Sequence, residues 1–302
     1  MAQLLDGKQL AKTIQKELRQ ELNGLVASGM NPPHLAAVLV GEDPASQSYV
    51  RAKIKACERV GFQSTLVKKP ANITEAALLQ LLEELNTAKD LDGYIVQLPL
   101  PEGISKERIN LAISATKDLD GFHPTNLGKM ILGLDTYIPA TPFGILTLLD
   151  RYNVATNAKN CVVIGRSNTV GTPISILLSR NNKVGNCTVT LTHSRTQNLK
   201  ELTRSADIIV AAIGHPNFLK VDMVKEGAVI IDVGINRVQD ASCKKGYKLV
   251  GDVDFEAVKS KASFITPVPG GVGPMTVTSL LYNTLKAYKR SHAKKTKRLT
   301  KK

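Results

Sequence analysis

With 302 residues, 43% of them hydrophobic, the chain can bury a core in each of two domains, and no apolar run approaches the roughly 20 residues that a membrane span requires. The formal net charge of +14 invites a nucleic-acid reading, but nine Lys/Arg and no acid lie between Lys286 and Lys302, and the rest of the chain carries 31 basic against 26 acidic residues. The excess is therefore mostly at the C-terminal end, where the tail 291–302 is read as solvated and disordered. RNA contact is left open only through it, since 4% aromatic residues supply few stacking platforms.

The start, MAQLLDGKQLAKTIQKEL, has the pattern of an amphipathic helix and no signal-peptide core, so a cytoplasmic protein without membrane association is expected. Cys57, Cys161, Cys187 and Cys243 are scattered, with no C-x-x-C and no histidine at ligand spacing, which predicts neither a disulfide framework nor a metal site.

After a first helix over about Gly7 to Ala27, Pro32-Pro33 breaks the pattern and HLAAVLV reads as a buried strand ending at Gly41. A helix, SQSYVRAKIKACERV, follows, with Ser46 as its expected N-cap and Gly61 as its stop. Tyr49 and Lys53, four apart, share a face. A strand near Thr65 to Val67, a helix from Thr74 to Leu85 and the strand GYIVQ complete three strand–helix repeats, the signature of a parallel sheet. Gln97 ends the third strand and runs into Leu98-Pro99-Leu100-Pro101, at the carboxyl end where ligands bind in open α/β sheets. A helix (Ser105 to Ile113), the loop KDLDGFHPTNLG and a helix after Pro142 carry the chain to a domain boundary near Pro139.

The second domain opens on Cys161 to Asn182, an apolar β-branched run ending at Gly165, a polar turn, and a periodic apolar segment from Val170. Such a strand–turn–helix brings backbone N–H groups and a helix dipole to one point, which suits a phosphate. The spacing departs from G-x-G-x-x-G, because Ser167 stands in the place of the middle glycine. Strands TVTLTH, DIIVAAIG and AVIIDVG, and a shorter one near Leu249 to Asp252, supply a Rossmann-type context. The second strand ends in His193-Ser194-Arg195-Thr196, where an NAD site would carry an acid. With no carboxylate to repel it, a 2′-phosphate can be met by Ser194, Arg195 or Arg166, so NADP is favoured over NAD; the alternative is that these residues only cap the next helix.

Four blocks, SYVRAK (Ser48 to Lys53), VQLPLP (Val96 to Pro101), KDLDGFHPTNLG (Lys117 to Gly128) and TPVPGGVGPMT (Thr266 to Thr276), joined by GRSNTVGTP at the nucleotide turn, carry a resemblance. From about Leu4 to Ala287 the chain resembles the bacterial bifunctional methylenetetrahydrofolate dehydrogenase/methenyltetrahydrofolate cyclohydrolase family. The resemblance implies two α/β domains around a cleft. The folate domain would comprise 1–139 with a C-terminal helix over 276–290, and the NADP domain, with a mostly parallel sheet, 140–275.

It further implies that NADP oxidises 5,10-methylenetetrahydrofolate and that the methenyl product is hydrolysed to 10-formyltetrahydrofolate. Lys53 would be the central catalytic residue, Tyr49 would stack on the aminobenzoyl portion, Gln97 would hold Lys53, and Asp120 would anchor the pterin. Leu98, Pro269, Gly270 and Gly273 would line the folate; Gly165, Arg166, Ser167, Ser194 and Ile235 would contact NADP, and the protein would be a homodimer joined through its nucleotide domains. The residues suit this chemistry: hydride transfer asks mainly for positioning, whereas ring opening by water needs a proton carrier such as a partly buried lysine. The alternatives are a member keeping one activity or using NAD, and a nucleotide-fold protein that binds RNA through its tail.

Overall fold

A computed structural model describes residues 2–27, 29–243 and 246–299, with side chains as far as residue 292. The elements run β1 (Gln3–Leu4), α1 (Gly7–Ala27), β2 (His34–Val40), α2 (Pro44–Val60), β3 (Gln63–Lys69), α3 (Glu75–Thr87), β4 (Gly93–Val96), α4 (Lys106–Ala112) and α5 (Pro124–Leu132). There follow α6 (Ala140–Arg151), β5 (Asn160–Ile164), α7 (Gly171–Ser179), β6 (Thr188–Thr192), α8 (Leu199–Ser205) and β7 (Ile208–Ala211). The chain ends with β8 (Val229–Asp232), β9 (Asn236–Gln239), β10 (Tyr247–Val250), α9 (Phe255–Val258), β11 (Phe264–Ile265) and α10 (Val272–Leu299). Two compact units result, one of Thr13–Ala140 with the chain from Val277 on, the other of Met1–Lys12 with Thr141–Thr276. Among the described residues no helix is long and apolar enough to cross a membrane.

The first unit is built on a parallel sheet of order β3-β2-β4, in which Val38 lies opposite both Val67 and Val96. The central strand β2 is buried from Leu35 to Val40, as its uninterrupted apolar run requires of a parallel strand covered on both faces. Leu78, Leu82, Ile109 and Tyr94 fill the core on one side of it. Thr74 and Ser105 cap α3 and α4, their hydroxyls accepting from the amides of Ala77 and Arg108 at 3.2 Å.

Helix α2 begins two residues before the expected Ser46. Asp43 is its cap, accepting from the Ser46 amide at 2.7 Å, and Pro44, which lacks the N–H that would go unpaired there, opens the first turn. Ser46 is instead buried inside the helix. Asp43→Ala should therefore cost about 1 kcal/mol in denaturant unfolding, a loss that Ser46→Ala does not produce through capping. The segment Lys117 to Gly128, expected as loop, changes character at Pro124, where α5 starts under the His123 ring. Helix α10 also runs beyond residue 290, reaching Leu299. No glycine or proline interrupts it after Pro274, and the Lys286 and Arg290 side chains both reach Asp135 at 2.5 Å. Of the expected disordered tail, residues 300–302 lie outside the described residues.

The second unit carries a six-stranded sheet of order β1-β11-β8-β7-β5-β6 with every pair parallel. Its core joins Val162, Ile164, Ile209, Ile230 and Ile265. Two expectations need correction. The first twelve residues belong to this unit, because β1 pairs beyond β11 and the Leu5 amide donates to Ile265 O at 2.9 Å. The strand near Leu249 lies outside the sheet, forming an antiparallel ribbon with β9, an unforeseen strand whose side chains alternate between half-buried and exposed. Such a ribbon has no apolar face to place in a parallel sheet.

Candidate active site

On α2 the buried positions are Ser46, Val50, Lys53, Ala56, Cys57 and Val60, the stripe that a helix of 3.6 residues per turn turns toward a core. Lys53 lies on that stripe and is only 7% exposed. Its ammonium donates to Gln97 Oε1 at 3.1 Å. Gln97 sits one residue beyond β4, its amide N–H still bonded to Val38 O at 2.9 Å, so the sheet fixes its backbone. Gln97 Nε2 donates to Leu98 O at 2.8 Å, which turns the amide so that the oxygen faces the lysine. Leu98 thus contributes its carbonyl to the orientation of Gln97. Tyr49, one turn before Lys53, is 36% exposed.

Asp120 reaches the same carboxyl edge by a different route. Tyr94 N–H donates to Lys117 O at 2.9 Å and Leu119 N–H to Tyr94 O at 3.3 Å, so the chain makes one parallel bridge to β4, between Tyr94 and Asp118. The buried Asp118 accepts from Gly121 N at 3.0 Å, His123 N at 2.8 Å and Asn126 Nδ2 at 2.9 Å. Asn126 Oδ1 accepts from Thr136, and Asn283 Nδ2 clamps the carbonyls of Leu119 and Ile138 at 2.8 and 3.0 Å. Burial raises the Asp120 carboxyl above its ordinary value, the Lys53 cation pulls it back, and Asp118 pushes it up again. Tyr49, Lys53, Gln97, Leu98 and Asp120 therefore all belong to the first unit.

The residues expected at the cofactor belong to the second unit. Gly165 ends β5 with φ 108°, and a Cβ there would meet Ala212 O at 2.3 Å; a Cβ on Gly171 would meet Gly165 O at 1.9 Å. Strand end and helix start touch directly, with no room for side chains between. Ser167 Oγ accepts from Val170 N at 3.2 Å and Gly171 N at 3.4 Å, taking up amides that the opening turn of α7 leaves unpaired. Its hydroxyl accordingly works as a cap, the physical reason for a serine where the fingerprint has glycine.

The turn after β6 is closed on itself: Thr196 Oγ1 accepts from His193 N at 2.9 Å, and His193 Nδ1 from Arg195 N at 3.2 Å. It does not cap α8, whose first residue is preceded by Asn198 in the left-handed region with no side-chain cap. Arg166, Ser194 and Arg195 are exposed, and no carboxylate stands at the end of β6. Pro269 and Gly270 lie in the loop after β11, where Gly270 O accepts from Lys8 N at 2.8 Å, and Gly273 lies in the first turn of α10. These three belong to the second unit and the other expected folate residues to the first.

Sequence reasoning missed a pair of buried carboxylates in this unit. Asp232 Oδ1 accepts from Gly234 N at 3.0 Å and Asp252 N at 2.9 Å, and Oδ2 from Val253 N at 3.0 Å. Burial pushes Asp232 up to about 7 against these bonds, and Asp252 adds to the rise. The signal was available, since Asp232 and Asp252 are acids set in apolar runs, VIIDVG and LVGDV.

Two family models match the chain, one on each side of the crossing near residue 140. The catalytic-domain model of tetrahydrofolate dehydrogenase/cyclohydrolase matches residues 5–120, and its NAD(P)-binding-domain model residues 139–292. The chain is 59% identical over 285 residues to the bifunctional protein FolD of Cytophaga hutchinsonii, covering 94% of this chain and 98% of that one. It superposes on the Campylobacter jejuni FolD crystal structure with a TM-score of 0.90 at 46% identity, covering 96% and 99% of the two chains. For the Trypanosoma brucei methylenetetrahydrofolate dehydrogenase-cyclohydrolase, solved with NADP and an inhibitor, the TM-score is 0.91 at 39% identity, covering 96% and 98%. The chain belongs to the tetrahydrofolate dehydrogenase/cyclohydrolase family.

Proposed function

We infer that the protein oxidises 5,10-methylenetetrahydrofolate to the 5,10-methenyl cation with NADP and hydrolyses that cation to 10-formyltetrahydrofolate. The observation that carries this reading is the buried Lys53, held by a neutral amide and acting on the Asp120 carboxylate. Hydrolysis adds water across the methenyl bridge, opens the ring and releases one proton. Lys53 is the group that moves protons in this step, since Gln97 orients its ammonium without neutralising it as a carboxylate would. Asp120 accepts hydrogen bonds from the donor edge of the pterin, and Tyr49, exposed one turn from Lys53, offers a ring face to the aminobenzoyl group.

The second unit fits NADP: the close Gly165–Gly171 approach places the end of β5 directly against the start of α7, and Arg166, Ser194 and Arg195 face solvent where no acid would oppose a 2′-phosphate. When bound, NADP accepts the hydride. The protein's part is to bind and orient it and to control water. Purified protein should reduce NADP with methylenetetrahydrofolate at a kcat/KM about tenfold or more above that with NAD, as expected for charge-assisted bonds to one extra phosphate. Equal initial rates with the two cofactors overturn the assignment of Ser194 and Arg195.

A further inference from the structure

Resting on the dehydrogenase reading above, we propose that Asp252 is a positioning residue for the dinucleotide: its buried carboxylate holds the two loops that present Ile213 and Ile235 at the carboxyl edge of the sheet. Asp252 is fully buried. Its Oδ2 accepts from the amides of Ile213 at 2.7 Å and Gly214 at 3.0 Å, the residues that follow β7. Its Oδ1 accepts from Asn236 Nδ2 at 2.9 Å, immediately after Ile235, and a Cβ on Gly234 would lie 2.2 Å from the same oxygen. One side chain therefore bonds Asn236 on one side of Ile235, packs against Gly234 on the other, and holds Ile213 through its own amide.

Both isoleucines are exposed, at 37% and 42%, although they continue strands whose other residues are wholly buried. Two apolar side chains held outward by a buried anion, at the end of the sheet where ligands bind, form a shelf suited to a flat, weakly polar ring. A Cβ on Gly273 would come 3.4 Å from Ile235 Cδ1, so the first turn of α10 closes one flank of that shelf. Asp232 braces the anion in turn, accepting from the amides of Asp252 and Val253. A carboxylate used in this way costs desolvation that an apolar core residue would not, and what it gains is a defined position for two loops.

The test compares Asp252→Ala, Asp252→Asn and Asn236→Ala in the full chain. NADP binding is measured by calorimetry, dehydrogenase KM and kcat by initial rates, and hydrolysis with methenyltetrahydrofolate supplied directly. Asp252→Ala leaves loop amides unpaired and should weaken NADP binding about tenfold or more, while hydrolysis, which needs no dinucleotide, stays within about twofold. Asn236→Ala should give a smaller change of the same sign, and it carries the test if Asp252→Ala does not fold. Asp252→Asn should recover part of the affinity, because an amide oxygen still accepts from Ile213 and Gly214. Unchanged NADP affinity in Asp252→Ala and Asn236→Ala, or equal loss of binding and hydrolysis, overturns the proposal while leaving the dehydrogenase reading in place. A wild-type protein that binds no NADP overturns both.

Discussion

Lys53→Met is expected to lower the rate of methenyltetrahydrofolate hydrolysis by roughly 10²–10⁴-fold, the usual contribution of a positioned proton carrier. The fold should survive. Methionine fills a similar volume, and the substitution removes a charge from a site only 7% exposed, so the melting temperature should hold or rise. A second consequence separates this reading from simple loss of a binding contact. Burial already raises the Asp120 carboxyl and the Lys53 cation opposes that rise, so without the cation Asp120 protonates at higher pH. Folate binding depends on ionised Asp120 and is lost as pH falls through its pKa; in Lys53→Met that loss should begin at higher pH. Titrating tetrahydrofolate affinity against pH in both proteins checks it. Hydrolysis at the wild-type rate in Lys53→Met would remove the lysine from the mechanism.

Asp118→Ala should be the most destabilising single change at this site. It deletes the acceptor for the amides of Gly121 and His123 and for one N–H of the Asn126 side chain. Buried donors left without a partner cost about 1–3 kcal/mol each, so denaturant unfolding should show a loss of at least about 3 kcal/mol. Because the same bonds fix the turn that follows Asp120, folate affinity should fall as well. Asp120→Asn supplies the contrast, weakening folate binding with little change in stability. If Asp118→Ala unfolds at the wild-type denaturant concentration, the turn is held by something other than this carboxylate.

Most elements were legible because the local signals agree. His34 to Val40 is an uninterrupted apolar run bounded by Pro33 and Gly41, and it is a buried central strand; Thr74 and Ser105 cap the helices they precede. The departures have local causes. The cap of α2 was misplaced because Asp43, Ser46 and Pro44 all carry start signals and only the backbone path chooses among them. Strand β1 is two residues long and exists only because β11 is there to pair with it, and β9 has no apolar run to announce it.

The candidate site shows the same boundary. Motif order alone named Tyr49, Lys53, Gln97 and Asp120; without the motif Lys53 reads as a solvated lysine on a mixed helix, and only the structure sets it on the buried stripe with Ser46, Val50, Cys57 and Val60. Sequence by itself also determined the parallel nucleotide-type sheet, the absence of an acid after β6, and the family. Only tertiary structure decided that Leu98 lends a carbonyl to Gln97, that Asp118 frames Asp120, that Ser167 caps α7, and that Asp252 ties together two loops. The reason is physical. Periodicity and capping are written within a few residues of one another, whereas a buried polar group finds its partner across tens of residues, as Asp252 finds Ile213, and that pairing exists only once the strands between them are in register.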